Sequence, residues 1–125
     1  MKRTLLESVW PPSVNALYRQ YRGRTILSKK GREFRKSGLK CLCPSAGLQP
    51  FDQDARIWVK IILHPPTKAK RDIDNYLKAL IDLLEHKKVF PNDSQIDHLI
   101  IDRGEVMRPG KAYIEIWADG KDEPV

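Results

Sequence analysis

The chain has 125 residues and carries 23 Lys and Arg against 16 Asp and Glu, a formal charge of +7 at pH 7. This is one domain by size, able to bury roughly two-thirds of its unfolded surface without staples, and 41% hydrophobic with 31% charged residues excludes a disordered chain. Cys41 and Cys43 stand two apart and His64, His86 and His98 are scattered, which assembles no zinc spacing; the positive excess instead favours a polyanionic partner.

Met1-Lys2-Arg3 leads into Leu5-Leu6-Glu7 without the apolar segment of a signal peptide. The longest apolar runs, such as Ile61-Ile62-Leu63, fall far short of the roughly 20 residues that cross a bilayer. The expected location is therefore cytoplasmic, with no membrane partner. Residues 4–10 read as a short strand stopped by Pro11-Pro12, and 11–27 as an irregular loop. Ser28 can cap a helix over 29–43 that ends at Pro44, although Gly31 and Gly38 weaken it.

Residues 55–64 alternate Ile57, Val59, Ile61 and Leu63 with Trp58 and Ile62, as expected of a central strand covered on both faces. Ile73, Tyr76, Leu77, Leu80, Ile81 and Leu84 recur at helical spacing, which predicts a second helix over 73–86. Strands follow over 96–106 and 112–118. Pro109-Gly110 supplies the turn between them, with Pro at its second position and Gly at its third. The order βαβαββ predicts a small single α/β domain of the α+β-like kind over 1–125. It has a mixed sheet, two helices and a C-terminal antiparallel hairpin.

The segment Lys70-Arg71-Asp72-Ile73-Asp74-Asn75-Tyr76-Leu77-Lys78 places two carboxylates two residues apart at a helix start. Helical positions i and i+2 diverge, so the acids converge only if Asp72 precedes the first turn while Asp74 projects from the helix. Oxygen-only ligands of this kind suit Mg²⁺, which takes one or two carboxylates and leaves its other positions to water and substrate phosphate. Capping and helix-dipole roles account for acids here equally well, and Asp74 with Lys78 makes an ordinary i,i+4 pair. Asp93, in a loop entering a strand, is a third ligand or a turn residue. Trp10 to Arg24 interleaves aromatic and cationic side chains. For Arg19, Arg22 and Arg24 this suits a phosphate backbone, whereas Trp10 is expected in the core.

Trp10-Pro11-Pro12-Ser13 with Asn15, Tyr18 and Gly23-Arg24, then Arg71-Asp72-Ile73-Asp74-Asn75 with Lys78, then Asn92-Asp93-Ser94-Gln95 closely resembles the RusA family of Holliday junction resolvases over nearly the whole chain. The resemblance implies a homodimeric, Mg²⁺-dependent endonuclease of bacterial or prophage origin that cuts four-way DNA junctions symmetrically in recombination and repair. The family's three catalytic, metal-holding aspartates fall on Asp72, Asp74 and Asp93, and its catalytic lysine on Lys78. The acidic loop reads Asn92-Asp93 where family members can carry two aspartates. Phosphate contacts are expected from Arg19, Arg22, Arg24, Lys29, Lys30, Arg32, Lys68, Lys70 and Arg71.

A 73–86 helix is about 20 Å long, so residues 87–92 can barely fold back along it. A two-fold partner is therefore the expected source of Asp93. A less selective metal-dependent nuclease and a non-catalytic junction-binding protein stay open beside the resolvase.

Overall fold

The computed structural model describes residues 3–42 and 51–118. Strand β1 (Arg3–Val9) alternates in burial, with Leu6 inside and Leu5 and Val9 outside, the two-residue period of the pleat. The expected irregular loop over 11–27 is instead ordered into a one-turn helix α1 (Val14–Leu17) and a hairpin of β2 (Tyr18–Tyr21) and β3 (Arg24–Leu27). The reason lies in Arg22-Gly23. Both take positive φ, 49° and 76°, which makes the two-residue type I′ turn whose twist matches that of the strands it joins.

Helix α2 (Lys29–Ser37) starts as the sequence predicts, with the Ser28 Oγ accepting the Gly31 N–H at 3.0 Å. It ends far earlier than expected. Leu39–Cys41 forms an edge strand, β4, on β1, while Cys43 and Pro44 lie outside the described residues. Gly38 causes the stop, because it propagates a helix poorly and its carbonyl accepts the Val9 N–H at 3.1 Å, which commits the chain to the sheet edge.

In β5 (Ile57–His64), Ile57, Val59, Ile61 and Leu63 are fully buried, whereas Trp58, Lys60, Ile62 and His64 are half-buried. Coverage on both faces is thus corrected to a helix layer on one face. On the other face Trp58 stacks between His98, at 3.6 Å, and Trp117, at 5.6 Å between ring centres. The second predicted helix opens as a 3-10 turn, Ile73–Tyr76, and continues as α3 (Leu77–His86), a tightening common at helix starts. Leu80 and Leu84 of its predicted stripe are fully buried together with Ala79 and Leu83, and Ile73, Tyr76, Leu77 and Ile81 pack around them. Each fully buried leucine contributes roughly 1.5–3 kcal/mol.

Strand β6 (Ile96–Arg103) runs parallel to β5, and β7 (Lys111–Ala118) runs antiparallel to both β5 and β1, giving the order β4-β1-β7-β5-β6. The mixed sheet of an α+β domain is as predicted. The last two strands are antiparallel in direction, but they form no hairpin because β5 lies between them. The crossover through α3 sets β6 beside β5 at the sheet edge, which leaves the other side of β5 to β7. Strand β6 stops at Arg103 and not at residue 106, because Gly104 passes closely under the His64 ring and donates its N–H to the Leu63 carbonyl at 2.7 Å. Gly110 has the expected positive φ, 96°, but its N–H bonds the Met107 carbonyl at 2.6 Å and the Arg108-Pro109 peptide is cis. Pro109 therefore occupies the third position of its turn and not the second.

Candidate active site

Asp72 is extended, with φ −88° and ψ 122°, and its side chain caps no amide of the following turn. Asp74 projects from that turn, so the two acids have the backbone relation that convergence requires. Nor does Asp74 take the i,i+4 ion pair read from the sequence. Lys78 pairs forward, with its Nζ 3.2 Å from Oδ1 of Asp82, and the other oxygen of Asp82 accepts the Tyr18 hydroxyl at 2.8 Å. Asp72 thus keeps its carboxylate clear of capping, and Asp74 keeps its own clear of the ion pair with Lys78.

Asp93 begins a 3-10 turn, Asp93–Gln95, but the capping is done by Asn92. The Asn92 Oδ1 accepts the Ser94 N–H at 2.8 Å, and Oε1 of Gln95 accepts the Asn92 N–H at 3.1 Å, a reciprocal capping box. Gln95, buried, anchors this turn through Nε2 to the carbonyls of Asp52, 2.7 Å, and Ala55, 3.0 Å. The Asp93 side chain is left exposed, and its own N–H donates to Oε2 of Glu85 at 3.1 Å.

The segment after α3 reverses at the helix end and returns as far as Glu85, in the last turn. Lys88 takes a positive φ of 60°, the Val89 N–H reaches the Leu84 carbonyl at 3.0 Å, and Val89 and Phe90 are fully buried. A left-handed residue directly after the last turn is the usual way to reverse a chain there. Asp93 consequently lies within electrostatic reach of Lys78 in the same chain. The described residues nonetheless include no group of three carboxylate, His or Cys side chains close enough to hold a metal ion.

Lys78, Asp82 and Glu85 occupy one stripe of α3, since residues three and four apart are neighbours on a helix. They form a wall of a cleft of about 880 Å³ that Tyr18, Arg35 and Lys88 also line. The hydrogen bond to Asp82, reinforced by its charge, raises the Lys78 ammonium above its ordinary value of 10.5. Burial, followed by the bond to Asp82, raises the Tyr18 hydroxyl above 10.0. Both groups are protonated at neutral pH.

The basic residues divide into two sets. Arg19, Arg22, Arg24, Lys29, Lys30, Arg32, Lys68 and Lys70 are exposed, and the guanidinium groups of Arg19 and Arg22 lie 5.4 and 5.3 Å from the Tyr21 ring centre. Arg71 differs. It donates to the carbonyls of Thr67, 2.9 Å, and Ala69, 3.0 Å, and to the Thr67 hydroxyl, 2.7 Å, and it lies over Trp10. It holds the loop before Asp72 in place and keeps few donors for a phosphate. Trp10 is half-buried against Tyr76, ring centres 4.8 Å apart, in the packing role expected of it.

The family model for the endodeoxyribonuclease RusA matches residues 9–117. The chain belongs to the RusA family. It is accordingly an endodeoxyribonuclease, which hydrolyses DNA phosphodiester bonds. It is 32% identical over 107 residues to the crossover junction endodeoxyribonuclease of Enterobacteria phage HK97, covering 86% of this chain and 88% of that one. The same enzyme of Enterobacteria phage 82 and of Escherichia coli strain K12 is 27% identical in each case, over 90% of this chain and 92% of the relative. No helix of the described residues is long and apolar enough to cross a membrane.

Asp82, Glu85 and Arg35 went unassigned in the sequence reading of this RusA-family chain. The i,i+4 spacing of Lys78 and Asp82 was a usable signal. Nothing in the linear sequence pairs Tyr18 with Asp82 across 64 positions.

Proposed function

We propose that this RusA-family protein is a Mg²⁺-dependent resolvase, acting in the cytoplasm as a homodimer over one endonuclease domain, that makes paired symmetric cuts in four-way junctions during recombination and repair. The observation that supports the reading is that the carboxylates of Asp72 and Asp74 at the start of α3, and that of Asp93 after its end, are left out of the capping and pairing roles open to them, with Lys78 on the helix between. Neither Asp72 nor Asp93 is used as a cap and Lys78 is not used by Asp74.

The donor set fits a hard cation. Asp72, Asp74 and Asp93 offer oxygen only, and two carboxylates with water and phosphate suffice for Mg²⁺. Bound Mg²⁺ would polarise the phosphoryl oxygen and lower the pKa of a coordinated water. Lys78, held as a cation, would stabilise charge developing on the phosphate or the leaving oxygen. Arg19, Arg22 and Arg24 on the β2–β3 hairpin, with Lys29, Lys30, Arg32, Lys68 and Lys70, would neutralise the DNA backbone.

Incubation with a synthetic four-way junction and with a linear duplex of matching sequence, in Mg²⁺ or in EDTA, tests this. Selective, Mg²⁺-dependent cutting of the junction is the expected result. Equal cutting of both substrates would make the protein a general nuclease, and binding without cutting in Mg²⁺ would remove the catalytic assignment.

A further inference from the structure

We propose that Asp82 and Tyr18 are a positioning pair that holds the Lys78 ammonium at the wall of the cleft that Arg35, Glu85 and Lys88 also line, where the scissile phosphate would bind. This rests on the reading of Lys78 given above. Each Asp82 oxygen has its own partner, Oδ1 accepting from Lys78 at 3.2 Å and Oδ2 from the Tyr18 hydroxyl at 2.8 Å. The carboxylate therefore cannot rotate without breaking one of the bonds. Its side chain is 15% exposed against 51% for Lys78, so a largely covered anchor holds a largely exposed tip. A lysine stem released from such an anchor spreads over many rotamers, and its ammonium spends correspondingly less time at a phosphate.

Tyr18 extends the restraint to a second element. It is the first residue of the β2–β3 hairpin, and the base of that hairpin is clipped to α2 by the Ser28 N–H to the Leu17 carbonyl, 2.9 Å, and the Ser28 hydroxyl to the Ala16 carbonyl, 2.6 Å. The bond from Tyr18 to Asp82 thus fixes the hairpin arginines relative to Lys78, so the DNA backbone and the cation meet in register. Both Lys78 and Tyr18 are held in their protonated forms, which suits a charge-stabilising lysine and not a proton-abstracting one. A half-exposed ion pair adds little stability, so loss of the pair should register in rate.

Two measurements on the full chain test the pair, namely single-turnover cleavage of a synthetic four-way junction in Mg²⁺ and the side-chain ¹⁵Nζ NMR signal of Lys78 without DNA. Asp82→Asn should slow cleavage tenfold or more with junction affinity within about twofold of wild type, and the exchange-protected Lys78 ammonium signal should disappear. Tyr18→Phe keeps the ring and its packing, and should slow cleavage by roughly threefold, since one of the two bonds remains. Wild-type rates in both variants, losses matched by equal losses of junction affinity, or no protected ammonium in the wild type would each overturn the proposal. If Asp82→Asn does not fold, Tyr18→Phe decides alone. If the wild type cuts no junction, the resolvase reading fails, while the ammonium signal still decides whether Asp82 fixes Lys78.

Discussion

Asp74 carries the sharpest prediction at the scale of the residue, because it starts a helix without serving it as an ion-pair partner. Asp74→Asn keeps the shape and removes the charge of the proposed metal ligand. Cleavage should fall by two orders of magnitude or more, about 2.7 kcal/mol of transition-state stabilisation, with junction binding unchanged in a gel-shift titration. A variant within a few-fold of wild type would refute the metal assignment.

Lys78 carries a pH prediction with a definite sign. Its pairing with Asp82 lifts the folded value above 10.5, so the pair stabilises the fold fully below that value and progressively less as pH rises through the folded value. Urea unfolding of wild type and Lys78→Met should therefore differ by a constant amount from neutral pH to about pH 10 and converge above it. The exposure of Lys78 keeps that difference under about 1 kcal/mol. A difference that instead grows with pH would contradict the pairing.

Among the elements, the β2–β3 hairpin and α3 do different work and fail differently. The hairpin projects Arg19, Arg22 and Arg24 from exposed strands around a tight turn. Replacing all three with Ala should leave the fold intact, weaken junction binding, and flatten the slope of log K against log salt by between two and three, at about 0.9 per phosphate contact. An unchanged slope would remove the hairpin from the interface. Helix α3 is structural first. Its Leu83 is fully buried and lies against Gly38, where a Cβ would come within 2.9 Å of it, and Leu83→Ala should cost about 2–5 kcal/mol in denaturant unfolding. Loss of activity in that variant should track loss of folded protein, unlike Asp74→Asn.

At the scale of the whole molecule, the proposed pair of symmetric cuts would call for two sites in the proposed homodimer, and the question is whether one subunit would complete its own. The reversal of the chain after α3 brings Asp93 to Glu85, in the last turn of the helix, whereas Asp72 and Asp74 stand before its first turn, so a site completed within one chain and a site completed by the partner's Asp93 make different predictions. Mixing inactive Asp74→Asn with inactive Asp93→Asn subunits and verifying exchange discriminates between them. Sites built within one chain leave every site short of a ligand and nicking absent. Restored nicking, from one intact composite site per mixed dimer, would show that Asp93 is shared between subunits.

The local elements were legible in the sequence because their causes are local. The two-residue period of β5, the apolar stripe of α3, the Ser28 cap and the extended Asp72 before Asp74 each follow from residues within a few positions of one another, and the motif residues marked the family. What only the tertiary structure decided involves partners distant in the chain. The carbonyl of Gly38 turns the end of α2 into a sheet edge only because Val9 is there to meet it. Strand β7 fills the slot between β1 and β5, and so is parted from β6 by β5, because the α3 crossover claims the outer side of β5. The anchor of Lys78 depends on Tyr18, 64 positions from Asp82. Short-range propensities act between neighbours, whereas strand order and side-chain convergence are set by which surfaces the whole chain can bury together, and that competition has no signature in any single segment.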